Sequence, residues 1–73
     1  MHKQEASLRN WRFEGPVLIG NVYGHPRFPN GHKIHTSRIV NFNKRSGIVE
    51  TLHTFYRLED YNEPEEPYES SKL

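Results

Sequence analysis

Between residues 11 and 58 the chain is rich in β-branched and aromatic residues, which Gly, Pro and Asn interrupt at short intervals. This pattern is typical of short strands joined by turns. It predicts four strands, over residues 11–13, 17–23, 33–42 and 48–58. The second is largely apolar, so we expect it to be buried on both faces. Asn43 and Gly47 bracket the last turn and supply the positive φ that a hairpin needs.

The two ends of the chain have different patterns. Residues 1–10 contain good helix formers, but they are too few for a stable isolated helix, so we expect a short helical turn or a disordered arm. Residues 59–73 are polar and acidic and contain Pro64 and Pro67, which predicts a flexible tail. The fold expected is a single all-β domain over residues 11–58, a small antiparallel meander or an SH3-like barrel of about four strands.

Alternation along residues 48–58 places apolar side chains on both faces of the predicted strand. One explanation is a second contact surface, such as a subunit interface; the other is a tightly curled small barrel. A chain of 73 residues is marginally stable alone, and without Cys it has no disulfide to reinforce it. A homo-oligomer is therefore expected.

Charge is distributed unevenly along the chain. Residues 15–49 contain no Asp or Glu, whereas residues 58–73 hold six acidic residues against one Lys. The formal net charge of +1 therefore conceals a basic body and an acidic end. Such asymmetry indicates an anionic partner for the basic part.

The composition also bears on location. No apolar run approaches the roughly 20 residues of a membrane-spanning helix, and the first residues lack the apolar core of a signal peptide. We expect a cytoplasmic protein without a membrane partner.

The connector over residues 24–31 is the most distinctive segment. Two Pro residues stiffen it, so its His, Arg and Phe side chains are presented with little conformational freedom. An Arg beside an aromatic ring can hold a phosphate while a base stacks on the ring. The alternative is that Phe28 fills the core and Arg27 is only solvated. The candidate ligand-binding residues are His25, Arg27, Phe28, Lys33, His35 and Arg38.

Histidines raise two further hypotheses. His32 and His35 have the spacing of metal ligands, but no carboxylate or thiol lies nearby, so neither a metal nor another cofactor is expected. Residues 35–37 and 53–55 echo each other as His-Thr-Ser and His-Thr-Phe. Paired His-x-Ser/Thr motifs occur in the two-histidine phosphoesterases, with one imidazole as acid and one as base. The second motif departs from that pattern, and the favoured interpretation is a protein that is not an enzyme.

The segment Gly-His-Pro-Arg-Phe-Pro-Asn-Gly at residues 24–31, followed by Thr36-Ser37 and by the Thr51 to Leu58 region, resembles small accessory proteins of bacteriophages and prophages. It is loosely similar to the Thoeris anti-defence sponges, which sequester cyclic nucleotide signals, although the chain lacks their longer helical part. The resemblance covers roughly residues 17–58. It implies an anti-defence or host-takeover role in the cytoplasm of the host cell.

Three functions follow from these observations. The favoured one is non-enzymatic binding of an anionic ligand, either a nucleotide signal or a nucleic acid, through the basic β face. The alternative is a protein inhibitor of a host enzyme, acting through the β scaffold and the acidic residues Glu59, Asp60, Glu63, Glu65 and Glu66. The least favoured is a small phosphodiesterase that uses His35 and His53.

Overall fold

The computed structural model describes residues 3–63, and all regular secondary structure in this part of the chain is β-strand. No helix here could cross a membrane. Six strands follow one another in chain order: β1 (Gln4–Glu14), β2 (Val17–Tyr23), β3 (His32–His35), β4 (Ile39–Asn43), β5 (Ile48–Thr51) and β6 (Thr54–Leu58).

The strands form one mixed sheet in the order β3-β2-β1-β6-β5-β4. Strands β1 to β3 make one antiparallel meander and β4 to β6 make another. The two meanders join at the centre, where β1 and β6 run parallel. The predicted all-β class is confirmed, whereas the prediction of a purely antiparallel sheet of about four strands is wrong.

The sheet is curled but does not close. β3 and β4 are its two edges, yet only residues 36–38 connect them, so the edges must lie near each other. Backbone bonds hold this crossing: the Ile39 N–H donates to Pro16 O at 2.7 Å, and the Leu52 N–H donates to Arg38 O at 3.1 Å. Because β3 and β4 do not pair, the predicted SH3-like barrel is wrong and the sheet is open.

The prediction of a helical turn or a disordered arm at the N-terminus is also wrong for the described residues. From Gln4 onward the chain forms a central strand, which pairs with β2 on one side and with β6 on the other. Leu8 is fully buried within it. Helix propensity is a weak preference that such tertiary pairing overrides.

Each of the two longer predicted strands is divided by a turn. The segment 33–42 becomes β3 and β4, and the segment 48–58 becomes β5 and β6. At the second break the Thr51 hydroxyl accepts a hydrogen bond from the Thr54 N–H at 3.2 Å and donates to Thr54 O at 3.0 Å. The turn changes the phase of the alternation, so Val49 and Thr51 face the core together with Tyr56.

The hairpin between β4 and β5 is confirmed. Gly47 has a φ of 74°. The Asn43 side-chain oxygen accepts hydrogen bonds from the backbone N–H groups of Arg45 and Ser46 at 3.0 and 3.1 Å. Gly47 thus supplies the predicted positive φ, whereas Asn43 does not have a positive φ and stabilises the turn through its side chain instead.

The core lies on the inner face of the curled sheet. Its buried apolar members are Leu8, Leu18, Val22, Ile34, Val49, Tyr56 and Leu58. In β2, Leu18, Ile19 and Val22 are buried although they point to alternate faces, which confirms that this strand is covered on both sides. Gly20 is required opposite an irregularity in β1, because a Cβ there would lie 3.2 Å from the Trp11 Cα.

Four aromatic rings cover the core where β1 and β6 end. The rings of Trp11, Phe13, Phe42 and Tyr61 form a closed cycle with centroid separations of 5.3 to 6.1 Å, which we call the aromatic end. The Trp11 indole N–H donates to Glu59 O at 2.8 Å, and the Tyr61 hydroxyl donates to Lys44 O at 2.6 Å. The first residues of the predicted tail are thus packed against the sheet; residues 64–73 lie outside the described part of the chain.

Candidate functional site

A cleft of about 740 Å³ opens at the opposite end of β1 and β6 from the aromatic end. The parallel register fixes this position, because Gln4 pairs with Thr54 where both strands begin. Four segments line the cleft: residues 3–4 before and in β1, residues 25, 27 and 28 of the β2–β3 loop, residues 35–37 after β3, and residues 52–54 of the β5–β6 turn. Tyr56 completes the lining. We call this space the histidine cleft.

Among residues 3–63, the lining of the histidine cleft contains no acidic residue. Its titratable and charged members, apart from Tyr56, are Lys3, Arg27, His25, His35 and His53. A concave surface lined by groups of one sign concentrates ions of the opposite sign. This composition therefore favours an anionic occupant.

The structure brings together four of the six residues predicted from the sequence. His25, Arg27, Phe28 and His35 line the histidine cleft. Lys33 and Arg38 are exposed and do not line it. His53, which entered the sequence analysis only as a catalytic candidate, is in the lining as well.

Several cleft residues were missed from the sequence: Lys3, Gln4, Thr36, Ser37, Leu52, Thr54 and Tyr56. The signal that could have found the first two was weak, because it required residues 1–10 to be recognised as the start of a strand. The echo between the motifs at residues 35–37 and 53–55 did point to the remaining segments. The repeated motif suggests a catalytic pair of histidines, but it also marks two segments that line one cleft.

His25 is held in a defined tautomer. Its Nδ1 accepts a hydrogen bond from the Arg27 backbone N–H at 3.0 Å, so the neutral ring carries its proton on Nε2. Nε2 lies 3.4 Å from the Thr54 hydroxyl oxygen. Burial, together with the positive charge of Arg27, lowers the pKa of His25 from its ordinary value of 6.5. At neutral pH His25 is therefore an uncharged hydrogen-bond donor.

Phe28 has a structural role as well as a place in the cleft. Its half-buried side chain packs against the core. Its ring centroid lies 4.9 Å from that of His25 and 6.1 Å from that of His32, whose ring is nearly parallel to it at 7°. These contacts fit the interpretation that Phe28 fills the core, and its ring also borders the histidine cleft.

The two cations of the cleft are held differently. Lys3 Nζ pairs with the Glu50 carboxylate and donates to Thr51 O at 2.8 Å, so part of its charge is neutralised. Among residues 3–63, Arg27 forms no salt bridge with an acidic residue. Arg27 therefore presents the stronger unneutralised positive charge to an incoming ligand.

The hydroxyl groups of Thr36 and Ser37 differ in their hydrogen bonding. The Thr36 Oγ1 accepts from the Leu18 N–H at 2.9 Å and donates to Ser37 O at 2.8 Å, which fixes the edge-to-edge crossing. Within the described chain, the Ser37 hydroxyl makes no such hydrogen bond, so it is available to a ligand.

The acidic residues predicted to bind a partner do not form a group in the described part of the chain. The backbone N–H of Glu59 donates to Leu8 O at 2.9 Å, and its carbonyl receives the Trp11 indole N–H. Asp60 is exposed with a φ of 57°, and Glu63 is also exposed. Glu65 and Glu66 lie outside the described residues.

A second concave surface, of about 540 Å³, lies on the outer face of the sheet. Its apolar and aromatic lining comes from Tyr23, Ile48 and Phe55, and its charged lining from Glu5, Arg57 and Glu59. We call it the outer groove. Its charges have both signs, unlike those of the histidine cleft.

Within residues 3–63 no group of three or more His, Asp or Glu side chains is arranged to hold a metal ion.

Comparison of the chain with protein-family models, with curated proteins and with solved structures gives no match. A function for this protein therefore has to be argued from the chemistry of the histidine cleft.

Proposed function

We propose that the protein is a non-enzymatic binding protein that takes an anionic ligand, a nucleotide signal or a nucleic acid segment, into the histidine cleft. The observation that carries the proposal is the lining itself: the part of it that the structure describes holds two cations and three imidazoles and no carboxylate. Hydrogen bonds from charged donors to phosphate are the strong ones in proteins, and Arg is well suited to make them.

The cleft is preferred over the rest of the basic surface because it is concave. Lys33, Arg38, Lys44 and Arg45 are exposed, so water and salt screen their charges. Arg27 is exposed as well, but it borders a concave surface on which several donors face one space, so they can act together on one anion.

The resemblance to phage accessory proteins suggests a setting for this binding. A protein that sequesters a nucleotide signal, or that covers a nucleic acid, would serve an anti-defence or host-takeover role without turnover. Binding would then remove the free ligand without changing it, so the number of protein molecules made would limit how much ligand is sequestered.

Calorimetric titration with ATP as the probe tests the proposal. We expect Arg27→Ala to weaken binding roughly 10- to 100-fold, which corresponds to one charge-assisted hydrogen bond of about 1.5–3 kcal/mol. Lys33→Ala is the matched control, because it removes an equal charge from an exposed site outside the cleft. We expect this control to weaken binding less than about threefold, through long-range charge only.

Equal losses for the two variants would contradict a cleft site and indicate diffuse attraction to the basic surface. A steep salt dependence shared by nucleic acid of any sequence would favour the nucleic acid over the nucleotide signal. Absence of binding to both ATP and single-stranded nucleic acid would overturn the proposal.

The phosphodiesterase hypothesis gains support from one observation. His35 and Ser37 from the segment after β3, and His53 from the β5–β6 turn, line the same cleft. In such a reaction one imidazole would take a proton from the attacking water and the other would protonate the leaving oxygen. Phosphorus NMR of a cyclic dinucleotide incubated with the protein would detect product, and His53→Ala should abolish it. An unchanged substrate spectrum would remove this candidate and leave binding.

The outer groove supports the expectation of a homo-oligomer. Ile48 remains 36% exposed beside the half-buried ring of Phe55, and acidic and basic side chains surround them. A surface that carries both positive and negative charges can pair with the same surface of a second copy of the chain. Light scattering after size exclusion should give a mass above the monomer that Ile48→Lys lowers. A monomeric wild-type protein would contradict this assignment.

A further inference from the structure

We infer that the histidine cleft recognises its ligand through a diphosphate or triphosphate group rather than through a nucleobase. This inference rests on the proposed function and specifies which part of the ligand the protein reads. It follows from the balance of donors and acceptors, from the accessibility of the aromatic rings and from the size of the cleft.

Among the described lining residues, the charged side chains are hydrogen-bond donors only, whereas Gln4, Ser37 and Thr54 can also accept. Lys3 already donates to Glu50 and to Thr51 O, whereas Arg27 forms no salt bridge within residues 3–63 and is free to donate to a ligand. The Thr36 hydroxyl is already occupied by backbone partners. Phosphate oxygens present only acceptors, whereas the amino groups of a base need acceptors in return. The lining is therefore matched to phosphate.

The Phe28 and Tyr56 rings offer no open platform for a base, although the imidazoles of His35 and His53 are exposed. The Phe28 ring lies against the rings of His25 and His32, and Tyr56 is only 3% exposed. The well-exposed apolar side chain of the lining is Leu52, at 51%. Stacking on aromatic faces provides much of the affinity in proteins that bind bases. Stacking of a base on Phe28 or Tyr56 is therefore disfavoured, which argues against the stacking role expected for Phe28.

His25 adds directional recognition. Because Arg27 N–H occupies Nδ1, the Nε2–H is the only donor that the neutral ring can offer. This donor already lies within 3.4 Å of the Thr54 hydroxyl oxygen and can pass to a phosphate oxygen without a change of tautomer. A donor fixed in advance costs less entropy on binding than a mobile one.

The size of the cleft argues for more than one phosphate. A volume of about 740 Å³ exceeds what a single phosphate fills and lies within the range of small-molecule sites. The cationic and imidazole side chains come from all four lining segments rather than from one. Hydrogen-bond donors spread around a space of this size are matched to a chain of phosphates.

Titration with three probes, inorganic pyrophosphate, ADP and adenosine, tests the inference at one salt concentration. We expect pyrophosphate to bind within about tenfold of ADP, a difference of 1.4 kcal/mol, and adenosine to give no measurable binding. Similar affinities for pyrophosphate and ADP would point to free polyphosphate and nucleotides as equivalent sources of the group.

Different results separate failure of the inference from failure of the proposed function. Binding of adenosine, or binding of ADP more than tenfold tighter than pyrophosphate, would show that the base or sugar is read; the inference would then be wrong while the proposed function stands. No binding of pyrophosphate or ADP, together with no binding of ATP or nucleic acid, would overturn both.

A pair of variants at His25 sharpens the test. His25→Leu removes the donor, and we expect it to weaken pyrophosphate binding about tenfold, whereas His25→Gln retains an amide donor and should retain most of the affinity. The unfolding midpoint of each variant shows whether the fold is intact. Equal losses for the two variants, with both folded, would contradict a donor role for His25.

Discussion

The two ends of β1 and β6 close the same curled sheet in different ways. Where the strands finish, four aromatic rings pack together, and two of them, Trp11 and Tyr61, donate hydrogen bonds to the backbone carbonyls of Glu59 and Lys44. Where the strands begin, the core is bordered by the histidine cleft, with cations, imidazoles and hydroxyls in its lining. One end buries apolar area, and the other leaves polar groups open to a ligand.

In this small chain, the groups that stabilise the fold and the groups that can bind a ligand lie at opposite ends of the same two strands. An open sheet with so few strands has little core, so a sealed end contributes a large share of its stability. Polar groups in a wet cleft contribute little to folding, because water satisfies them in the unfolded chain too. Variants at the aromatic end should therefore affect folding, and variants in the histidine cleft should affect ligand binding.

The largest effect is expected for Trp11→Ala. The change removes two ring contacts and the indole hydrogen bond to Glu59 O. We expect it to lower the free energy of unfolding by about 3 kcal/mol, near the lower end for truncation of a large aromatic side chain. Urea denaturation measures this loss. Phe13→Ala is the matched control, since Phe13 is 44% exposed and should cost only about 1 kcal/mol.

Gly47→Ala should give the next largest effect. A Cβ at this position would lie 2.6 Å from the Tyr61 ring, and the φ of 74° disfavours any side chain. We expect a loss of about 2 kcal/mol, with displacement of Tyr61 from the hairpin. Thermal unfolding and the tyrosine signal in near-UV circular dichroism report the two consequences. Gly24→Ala is the control, because it shares the positive φ but meets no atom within 4 Å.

Substitution in the histidine cleft should change stability least. For Arg27→Ala and His53→Ala we expect the free energy of unfolding to stay within about 0.5 kcal/mol of the wild type, because both side chains are exposed. The same urea denaturation applies. A loss comparable to that of Trp11→Ala would show that the cleft is part of the structural core and would remove the contrast between the two ends.

A pH effect should distinguish His25 from the aromatic end. The pKa of His25 is lower in the folded chain than its ordinary value of 6.5, so the unfolded chain takes up the proton first as pH falls. Its contribution to stability is therefore complete above about pH 6.5 and declines below it. Denaturation midpoints measured from pH 8 to pH 5 should fall less for His25→Gln than for the wild type. Parallel curves would contradict the assigned environment of His25.

Local signals made part of the fold predictable from sequence. Gly47 specifies the hairpin through its positive φ and Asn43 through side-chain hydrogen bonds to the turn, and Gly15-Pro16 ends β1 where expected. The start of β1 was not predictable in this way. Its residues favour a helix locally, and their strand conformation depends on pairing with β6, which lies about 50 residues away in the chain. The breaks at residues 36–38 and 52–53 contain no Gly or Pro, so the sequence gives no local signal for a turn there.

The candidate site was predictable to a similar degree. The absence of acidic residues and the stiff connector located His25, Arg27 and His35 from composition alone. Lys3 and His53 join them only because the parallel pairing of β1 and β6 brings distant segments to one end of the sheet. Lys33 is a false positive of the prediction from charge, since it has the expected charge but lies outside the cleft.

The most direct test of the central claim is a map of amide chemical shifts in ¹H–¹⁵N NMR spectra during titration with pyrophosphate. We predict saturable shifts at His25, Arg27, Ser37 and His53, with little change at Trp11 and across the aromatic end. Shifts that are confined to exposed cations such as Lys33 and Lys44, or that do not saturate, would contradict a phosphate site in the histidine cleft.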